Sequence, residues 1–178
     1  IKEHLPKITV IDYDKTTLEE KEVKEVEECF PFKDKPSVTW ITVTGIHDPD
    51  VIQRIGNHFG FHPLLLEDIM NTEQRPKTDD FGDHIFLVLK RIRYKSGGIK
   101  IEQVSLILGK NFVITFQEEE EEIFESIRER IRKGKGKMRS LGSDYLAYNI
   151  VDSIVDNYFY VLEKISEKVE EIEIELVS

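Results

Sequence analysis

Hydrophobic and polar positions alternate along the first part of the chain in a way that predicts β-strands. Residues 6–14 (PKITVIDYD) and 37–45 (SVTWITVTG) show the short alternation and β-branched content typical of strands. Residues 16–30 are ambiguous, because their charge suits a helix whereas their Thr and Val residues suit an edge strand. Both alternatives stay open for that segment.

Two helices are predicted after the second strand. Residues 47–60 begin with an Asp-Pro pair that can cap a helix and end in a glycine that can terminate it. The next helix begins at Pro63, within the segment HPLLLEDIMNTEQRP. Its residues Leu65, Leu66 and Ile69 are spaced to share one face, which we expect to be buried.

The apolar pattern then changes to longer strands. Residues 77–95 are apolar enough for one long strand, and residues 97–117 for two more that turn at 109–111, so the three form an antiparallel meander. Residues 118–133 predict a helix with acids in its first turn and bases in its last, which complements the helix dipole. Residues 134–142 (GKGKMRSLG) predict a basic, flexible connector.

The segment 143–178 contains neither Gly nor Pro and predicts one long helix, whose start Ser143 and Asp144 can cap. A heptad seam with spacings of four and three runs along it: Tyr158, Leu162, Ile165, Val169, Ile172 and Leu176. At about 1.5 Å per residue, such a helix is roughly 50 Å long, more than a small domain needs. We therefore predict a domain over residues 1–142 and the start of a truncated stalk helix over 143–178.

Taken together, these segments predict the α/β class, with a mixed sheet of about six or seven strands and helices on both faces. The 178 residues suffice for one domain with an appendage. The net charge of −10 disfavours nucleic acid and anionic lipid as partners and attracts cations. A single cysteine, Cys29, excludes an internal disulfide. No apolar run approaches the roughly 20 residues that span a bilayer.

Two adjacent carboxylates, Glu67 and Asp68, lie at the border of the apolar stripe on the second helix. Acids beside an apolar surface cost free energy unless something offsets their charge. Glu67 and Asp68 can be ordinary surface acids, partly paired with Lys or Arg. They can also be oxygen ligands for a hard cation such as Mg²⁺, which often takes one or two carboxylates and keeps much of its water.

A second acidic pair, Asp152 and Asp156, lies four residues apart on the long helix and so faces one way. Like charges at this spacing repel slightly, so a nearby cation would favour the arrangement. The alternative is a solvated stripe beside the apolar seam. Spacing alone does not decide between these interpretations.

Other polar segments are weaker candidates. The acidic run 118–122 fits a helix start, and residues 79–83 (DDFGD) lack the ligand spacing of an EF-hand. His58 and His62 are separated by a glycine and lack the glutamate of a zinc-protease motif. The basic segment 132–139 can hold a phosphate but is interpreted as a surface loop. No catalytic constellation is recognisable, so we do not expect an enzyme.

Five segments in a fixed order resemble one family when they are taken together. They are HPLLLEDIMNTEQRPK, HIFLVLK, EQVSLILGKNFVITFQE, IRERIR and DYLAYNIVDSIVDNYFYVLEKI. This set resembles the cytoplasmic domain of the CorA family of magnesium channels. The resemblance runs from about residue 37 to the end and is loose before that point.

The resemblance implies an α/β/α layered domain on the cytoplasmic side of the cell membrane, followed by a long helix that descends to the membrane. It implies a homopentamer, in which Mg²⁺ bound between neighbouring domains holds the pore closed. Co²⁺ or Ca²⁺ can substitute for this regulatory ion. Glu67 and Asp68, from LED, and Asp152, from VDSIVD, are the implied ligands; Asp156 is only their neighbour.

The sequence stops before the family's two transmembrane helices, its Gly-Met-Asn signature and a further acidic ligand on the stalk. We therefore expect a fragment that cannot conduct ions, has an incomplete metal site and self-associates weakly or differently. Zinc-transporting relatives share the architecture, so the transported ion stays open. A Mg²⁺-dependent hydrolase and a pure assembly module are the rival functions.

Overall fold

The structure, a computed structural model, describes residues 6–95, 98–119 and 122–177. Seven strands form one sheet: β1 (Lys7–Tyr13), β2 (Leu18–Val23), β3 (Val38–Thr44), β4 (Lys77–Asp80), β5 (Ile85–Lys95), β6 (Gly98–Leu108) and β7 (Phe112–Gln117). Their order is β2-β1-β3-β7-β6-β5-β4. β3 and β7 pair in parallel, and the other described pairs are antiparallel. The predicted mixed sheet is confirmed.

Helices cover both faces of this sheet. They are a 3-10 helix (Val26–Phe32), α1 (Pro49–Phe59), α2 (Pro63–Met70), α3 (Glu122–Lys133) and α4 (Ser143–Val177). The 3-10 helix, α1 and α2 share one hydrophobic core with the sheet. The helix α3 and the first half of α4 share a second core on the opposite face. The α/β/α layers expected from the sequence are therefore present.

The ambiguous segment 16–30 contains both an edge strand and a helical turn. β2 is the outermost strand and carries mostly exposed charged side chains, which suit a sheet edge because they discourage pairing with another chain. The 3-10 helix that follows buries Val26, Cys29 and Phe32 against the sheet. The strand interpretation thus holds for Leu18–Val23, and a helical interpretation holds from Val26 onward.

The prediction of one long strand over residues 77–95 was wrong. Two antiparallel strands, β4 and β5, are joined there by a tight turn. The Asp80 carboxylate accepts from the Gly82 N–H at 2.8 Å, and Gly82 has φ of 88°, a conformation that favours glycine. The apolar content of the segment masked this turn.

The predicted helix start at residue 118 was also wrong. The described part of this helix begins at Glu122, and residues 120–121 lie outside the described residues. The Glu118 carboxylate accepts from the Gln103 backbone N–H at 3.1 Å, so the residue after β7 is attached to the neighbouring strand β6. The acidic run therefore serves partly as a sheet contact.

The connector 134–142 is held in place rather than flexible. Met138 is fully buried in the core between the sheet and α3. The Arg139 guanidinium donates to the backbone oxygens of Asp14 at 2.9 Å and Thr17 at 2.8 Å. These contacts fix the point at which the chain enters α4.

The long helix α4 extends to Val177 as predicted, and Ser178 lies outside the described residues. Instead of capping the helix, the Ser143 hydroxyl donates to the backbone oxygens of Gly109 at 2.9 Å and Lys110 at 2.8 Å. From residue 166 onward every described side chain is exposed, so this part of the helix projects from the body. The division into residues 1–142 and 143–178 stays a prediction.

Among residues 6–95, 98–119 and 122–177, none of the helices combines the length and the apolar character that crossing a bilayer requires.

Close packing of α1 on α2 gives a first testable prediction. A Cβ added at Gly56 would lie 2.7 Å from Leu66 Cδ2, inside van der Waals contact. We expect Gly56→Ala to lower the free energy of unfolding by about 1–3 kcal/mol, because overpacking outweighs the better helix propensity of alanine. Urea unfolding measures this, with the exposed neighbour Asn57→Ala as control. A variant at least as stable as the parent would contradict the close contact.

Candidate metal site

Helix α2 presents the first two candidate ligands at the edge of its buried stripe. Leu65, Leu66 and Ile69 are buried, as the spacing predicted. The helix is capped by His62, whose Nδ1 accepts from the Leu64 N–H at 3.1 Å. This orientation leaves Glu67 exposed. Asp68, the other candidate on this helix, is only partly exposed.

Asp68 is paired with a lysine of its own chain. Lys77 Nζ lies 2.5 Å from Asp68 Oδ2 and 2.9 Å from Asp79 Oδ2. The hydrogen bonds that Lys77 donates to Asp68 and then to Asp79 raise the pKa of Lys77. The Asp68 side chain keeps 27% of its exposure, so it still reaches the surface. Lys77 of the same chain thus offsets part of the Asp68 charge.

Hydrogen bonds from side chains to backbone oxygens fix the end of α2 over strands β5 and β6. Gln103 Nε2 donates to the backbone oxygen of Asp68 at 3.3 Å. Lys90 Nζ donates to the backbone oxygen of Thr72 at 2.6 Å. Gln74 Nε2 also donates to the backbone oxygen of Asp68. These bonds hold the Glu67–Asp68 pair in a defined position relative to the sheet.

Helix α4 presents the third candidate ligand on the other face of the sheet. Ile150 and Ile154 are fully buried, and Asp152 and Asp156 are exposed beside them. Two side chains of α4 anchor the helix to β5. The Tyr158 hydroxyl donates to the backbone oxygen of Lys90, and Asn157 Nδ2 donates to the backbone oxygen of Ile92.

The two sets of carboxylates therefore lie above and below the same strand. The side chain of Lys90 contacts the loop after α2, and its backbone oxygen accepts from Tyr158 of α4. Because the sheet separates them, Glu67 and Asp68 do not share a single-chain site with Asp152. Within the described part of the chain, no group of three or more His, Cys, Asp or Glu side chains could hold a metal ion. Their role as ligands stays a prediction.

The two histidines that are four residues apart have other partners. The His58 ring stacks on Phe30 with centroids 3.9 Å apart, and its Nε2 lies 3.2 Å from the backbone oxygen of Phe30. His62 caps α2. Both rings thus support local structure, which agrees with the rejection of a zinc-protease motif.

A buried charge cluster under α4 escaped the sequence analysis. Glu102 is 3% exposed, with Arg93 Nε at 3.1 Å, Lys100 Nζ at 2.9 Å and Arg91 Nη1 at 3.6 Å from its carboxylate oxygens. Its signal was present as alternating charges on β5 and β6, where Arg91 and Glu102 are direct cross-strand partners. Only the register, which is a non-local property, identifies the cluster as buried.

Solved structures of two separately determined domains share this fold. The soluble domain of CorA from Methanocaldococcus jannaschii superposes with a TM-score of 0.69 and 15% identity, covering 96% of this chain and 64% of that chain. The ZntB cytoplasmic domain from Vibrio parahaemolyticus gives a TM-score of 0.69 and 14% identity, covering 92% of this chain and 64% of that chain. At such identities the likeness shows the fold alone.

Sequence similarity is more specific than the fold. Residues 35–178 match the family described as CorA-like Mg²⁺ transporter protein. The cobalt/magnesium transport protein CorA of Thermotoga maritima is 45% identical over 172 residues, a match that covers 96% of this chain and 49% of that protein. The chain therefore belongs to the CorA-like Mg²⁺ transporter family. It spans about half the length of this Thermotoga relative.

The anchor of α4 on β5 gives a second testable prediction. Tyr158→Phe removes the hydroxyl that donates to the Lys90 backbone oxygen and keeps the ring. We expect a loss of about 0.5–1.5 kcal/mol in the free energy of unfolding, the usual net value of one hydrogen bond. Tyr148→Phe on the same helix is the matched control, since Tyr148 is 62% exposed. Equal stability of both variants in urea unfolding would show that the hydroxyl does not stabilise the contact.

Proposed function

We propose that this chain is the cytosolic regulatory domain of a CorA-type transport protein for Mg²⁺ and Co²⁺, and that it senses intracellular Mg²⁺. Family membership supports the class. The observation that carries the sensing role is the placement of Glu67 and Asp68 on α2 and of Asp152 on α4, at the surface on opposite faces of strand β5. The proposal gives the domain no catalytic role.

The sensing site is formed between two subunits. If α2 of one subunit faces α4 of the next, Glu67 and Asp68 meet the surface that carries Asp152. The donors would all be carboxylate oxygens, which suit Mg²⁺ as the regulatory ion and also Co²⁺ or Ca²⁺ as substitutes. In this arrangement a cation reduces the repulsion between facing acids and draws the subunits together.

Lys77 makes this site responsive to the cation. In the described chain its Nζ neutralises part of the Asp68 charge at 2.5 Å. A divalent ion that binds Asp68 competes with this lysine. Because Asp79 lies 2.9 Å from the same Nζ, Lys77 keeps a carboxylate partner when the ion takes Asp68. Replacement of Lys77 by the ion at Asp68 then costs little free energy. The occupancy of the site can therefore follow the Mg²⁺ concentration.

Gating follows from the position of α4. The helix is attached to β5 by Asn157 and Tyr158 and then projects with exposed apolar residues, including Val169, Ile172 and Leu176. These residues suit assembly into a homopentamer around a central axis. A change in the distance between neighbouring domains is then transmitted along the stalk to membrane-spanning helices of the full protein. Such coupling requires Mg²⁺ to bind one arrangement better than the other.

Zinc is the second candidate for the transported ion. The fold is as similar to the ZntB domain as to the CorA soluble domain, since both TM-scores are 0.69. The proposed sensing ligands are carboxylates, however, whereas zinc sites in proteins commonly use histidine and cysteine. We therefore place Mg²⁺ before zinc as the regulatory ion of the proposed sensing site.

Mg²⁺-dependent stabilisation is the third testable prediction. Weak oxygen sites have dissociation constants near 10⁻⁴ to 10⁻³ M, and we expect this domain to lie at or beyond that weak end, because each surface of one chain carries only part of the ligand set. At a tenfold excess over Kd, binding stabilises the folded state by about 1.4 kcal/mol, which raises Tm by roughly 3–5 °C. Replacing Asp68 and Asp152 together by Asn should abolish this rise. The melting temperature without metal should change little, because Lys77 keeps Asp79 as a partner and Asp152 is exposed.

The control variant is Asp156→Asn, which removes one charge from the same face of α4 and should keep the rise. Thermal melts are compared across a Mg²⁺ series at constant ionic strength, so that general screening is the same in every sample. If the double variant retains the full rise, these aspartates are surface acids and the sensing role is wrong.

A further inference from the structure

A polar cavity of about 190 Å³ lies beside α3, and none of the proposed metal ligands lines it. It is lined by Thr44 and Gln117, the last residues of the parallel strands β3 and β7. After β3 the chain turns to α1 on one face, and after β7 it turns to α3 on the other. In open α/β sheets, ligands bind where successive connections leave for opposite faces. The topology thus places a crevice here.

Arg128 brings a poorly solvated positive charge to this cavity. Its guanidinium stacks over the Trp40 ring at 4.9 Å, and its side chain is 13% exposed. Its hydrogen bonds are long, 3.5 Å to Glu125 Oε2 and 3.3 Å to Thr42 Oγ1. Burial lowers the pKa of Arg128, because the cation has lost water. A bound anion would offset this loss.

The other arginine of the cavity is already neutralised. Arg132 Nε donates to Glu20 Oε2 at 2.8 Å, and Arg132 Nη1 donates to Glu129 Oε1 at 2.8 Å and also to Glu125. These carboxylates raise the pKa of Arg132. Glu125 is therefore shared, and its shorter contact goes to Arg132 rather than to Arg128. Of the two arginines, Arg128 is therefore the one whose charge can receive a ligand, and Lys7 adds a further cation to the lining.

The cavity also holds an acceptor that needs a donor. Gln117 is 1% exposed, and its Nε2 donates to Thr44 Oγ1 at 3.0 Å. Among the described residues, Gln117 Oε1 has no hydrogen-bond partner, which is costly for a buried amide oxygen. The carboxylates of Glu20 and Glu125 line the same space and also accept. A ligand here must therefore carry negative charge and a hydrogen-bond donor together.

We propose that this cavity binds a small oxyanion that keeps a hydroxyl proton at neutral pH, namely hydrogen phosphate. Arg128 supplies the charge, the threonine hydroxyls donate, and Gln117 Oε1 or a carboxylate accepts the P–O–H proton. The volume corresponds to roughly six water molecules at about 30 Å³ each, enough for one tetrahedral anion. Sulfate has the same shape but no proton at neutral pH. The site is independent of the proposed Mg²⁺ sensor.

Isothermal titration of the chain with phosphate, sulfate and methyl phosphate tests this inference, without Mg²⁺ at pH 7 and constant ionic strength. We expect phosphate to bind at least tenfold more tightly than sulfate or methyl phosphate, because methyl phosphate at pH 7 is mostly a dianion without a P–O–H proton. Arg128→Gln should weaken that binding about tenfold or more, because a charge-assisted hydrogen bond is lost. Arg54→Gln, an exposed arginine paired with Glu27 on the other face, should bind like the parent.

A second variant keeps the test valid if Arg128→Gln does not fold. Thr9→Val removes a lining hydroxyl from β1 with a residue that favours strands, and should weaken binding severalfold. Thr78→Val on β4 is its control, since Thr78 is exposed and does not line the cavity. Equal binding of sulfate, tighter binding of methyl phosphate than of phosphate, absence of phosphate binding, or parent-like Thr9→Val would overturn the proposal.

Discussion

The sheet itself is the constraint on which the account depends. Strand β5 has α2 on one face and α4 on the other, and hydrogen bonds through Lys90 hold both helices to that strand. Oxygen ligands of Mg²⁺ must lie about 2.0–2.1 Å from the ion, whereas packed layers are about 10 Å apart. Carboxylates on α2 and α4 of one chain therefore cannot bind the same ion. If Glu67, Asp68 and Asp152 act together, they act between subunits.

This geometry explains why the proposed sensor can respond to assembly. Each chain carries two of the proposed ligands, Glu67 and Asp68, on one surface and the third, Asp152, on another, so a site that used all three would need two subunits. Within one subunit, Lys77 screens Asp68 and keeps a second partner in Asp79. The lysine thus limits repulsion in the metal-free state, and the divalent ion would replace it at the interface. The same helix that carries Asp152 continues into the projecting stalk.

The sequence predicted the elements best where the signal was local. Alternation identified the buried strands, and helical spacing identified the buried face of α2. It failed where distant parts of the chain decide the structure. Arg139 in the supposedly flexible connector donates to Asp14, which is 125 residues away. The burial of Glu102 depends on its register with Arg91, and the turn at Gly82 was masked by flanking apolar residues.

The candidate ligands were found by a different route. Spacing alone left Glu67, Asp68 and Asp152 balanced between surface acids and a metal site, and resemblance to a family selected them. Lys77 was not expected as the partner of Asp68, because their contact depends on the path of the chain after α2. The cavity around Arg128 was missed altogether, since β1, β3, β7 and α3 all contribute to it.

Anomalous diffraction from the assembled full-length protein with Mn²⁺ in place of Mg²⁺ tests the two-subunit site most directly. We expect a manganese peak at the border of two subunits, close to Asp68 of one chain and the α4 surface carrying Asp152 of its neighbour. Loss of this peak in the Asp68→Asn, Asp152→Asn protein would assign the ligands. A manganese ion coordinated by acids of one chain alone, or bound only at sites away from both aspartates, would contradict the account.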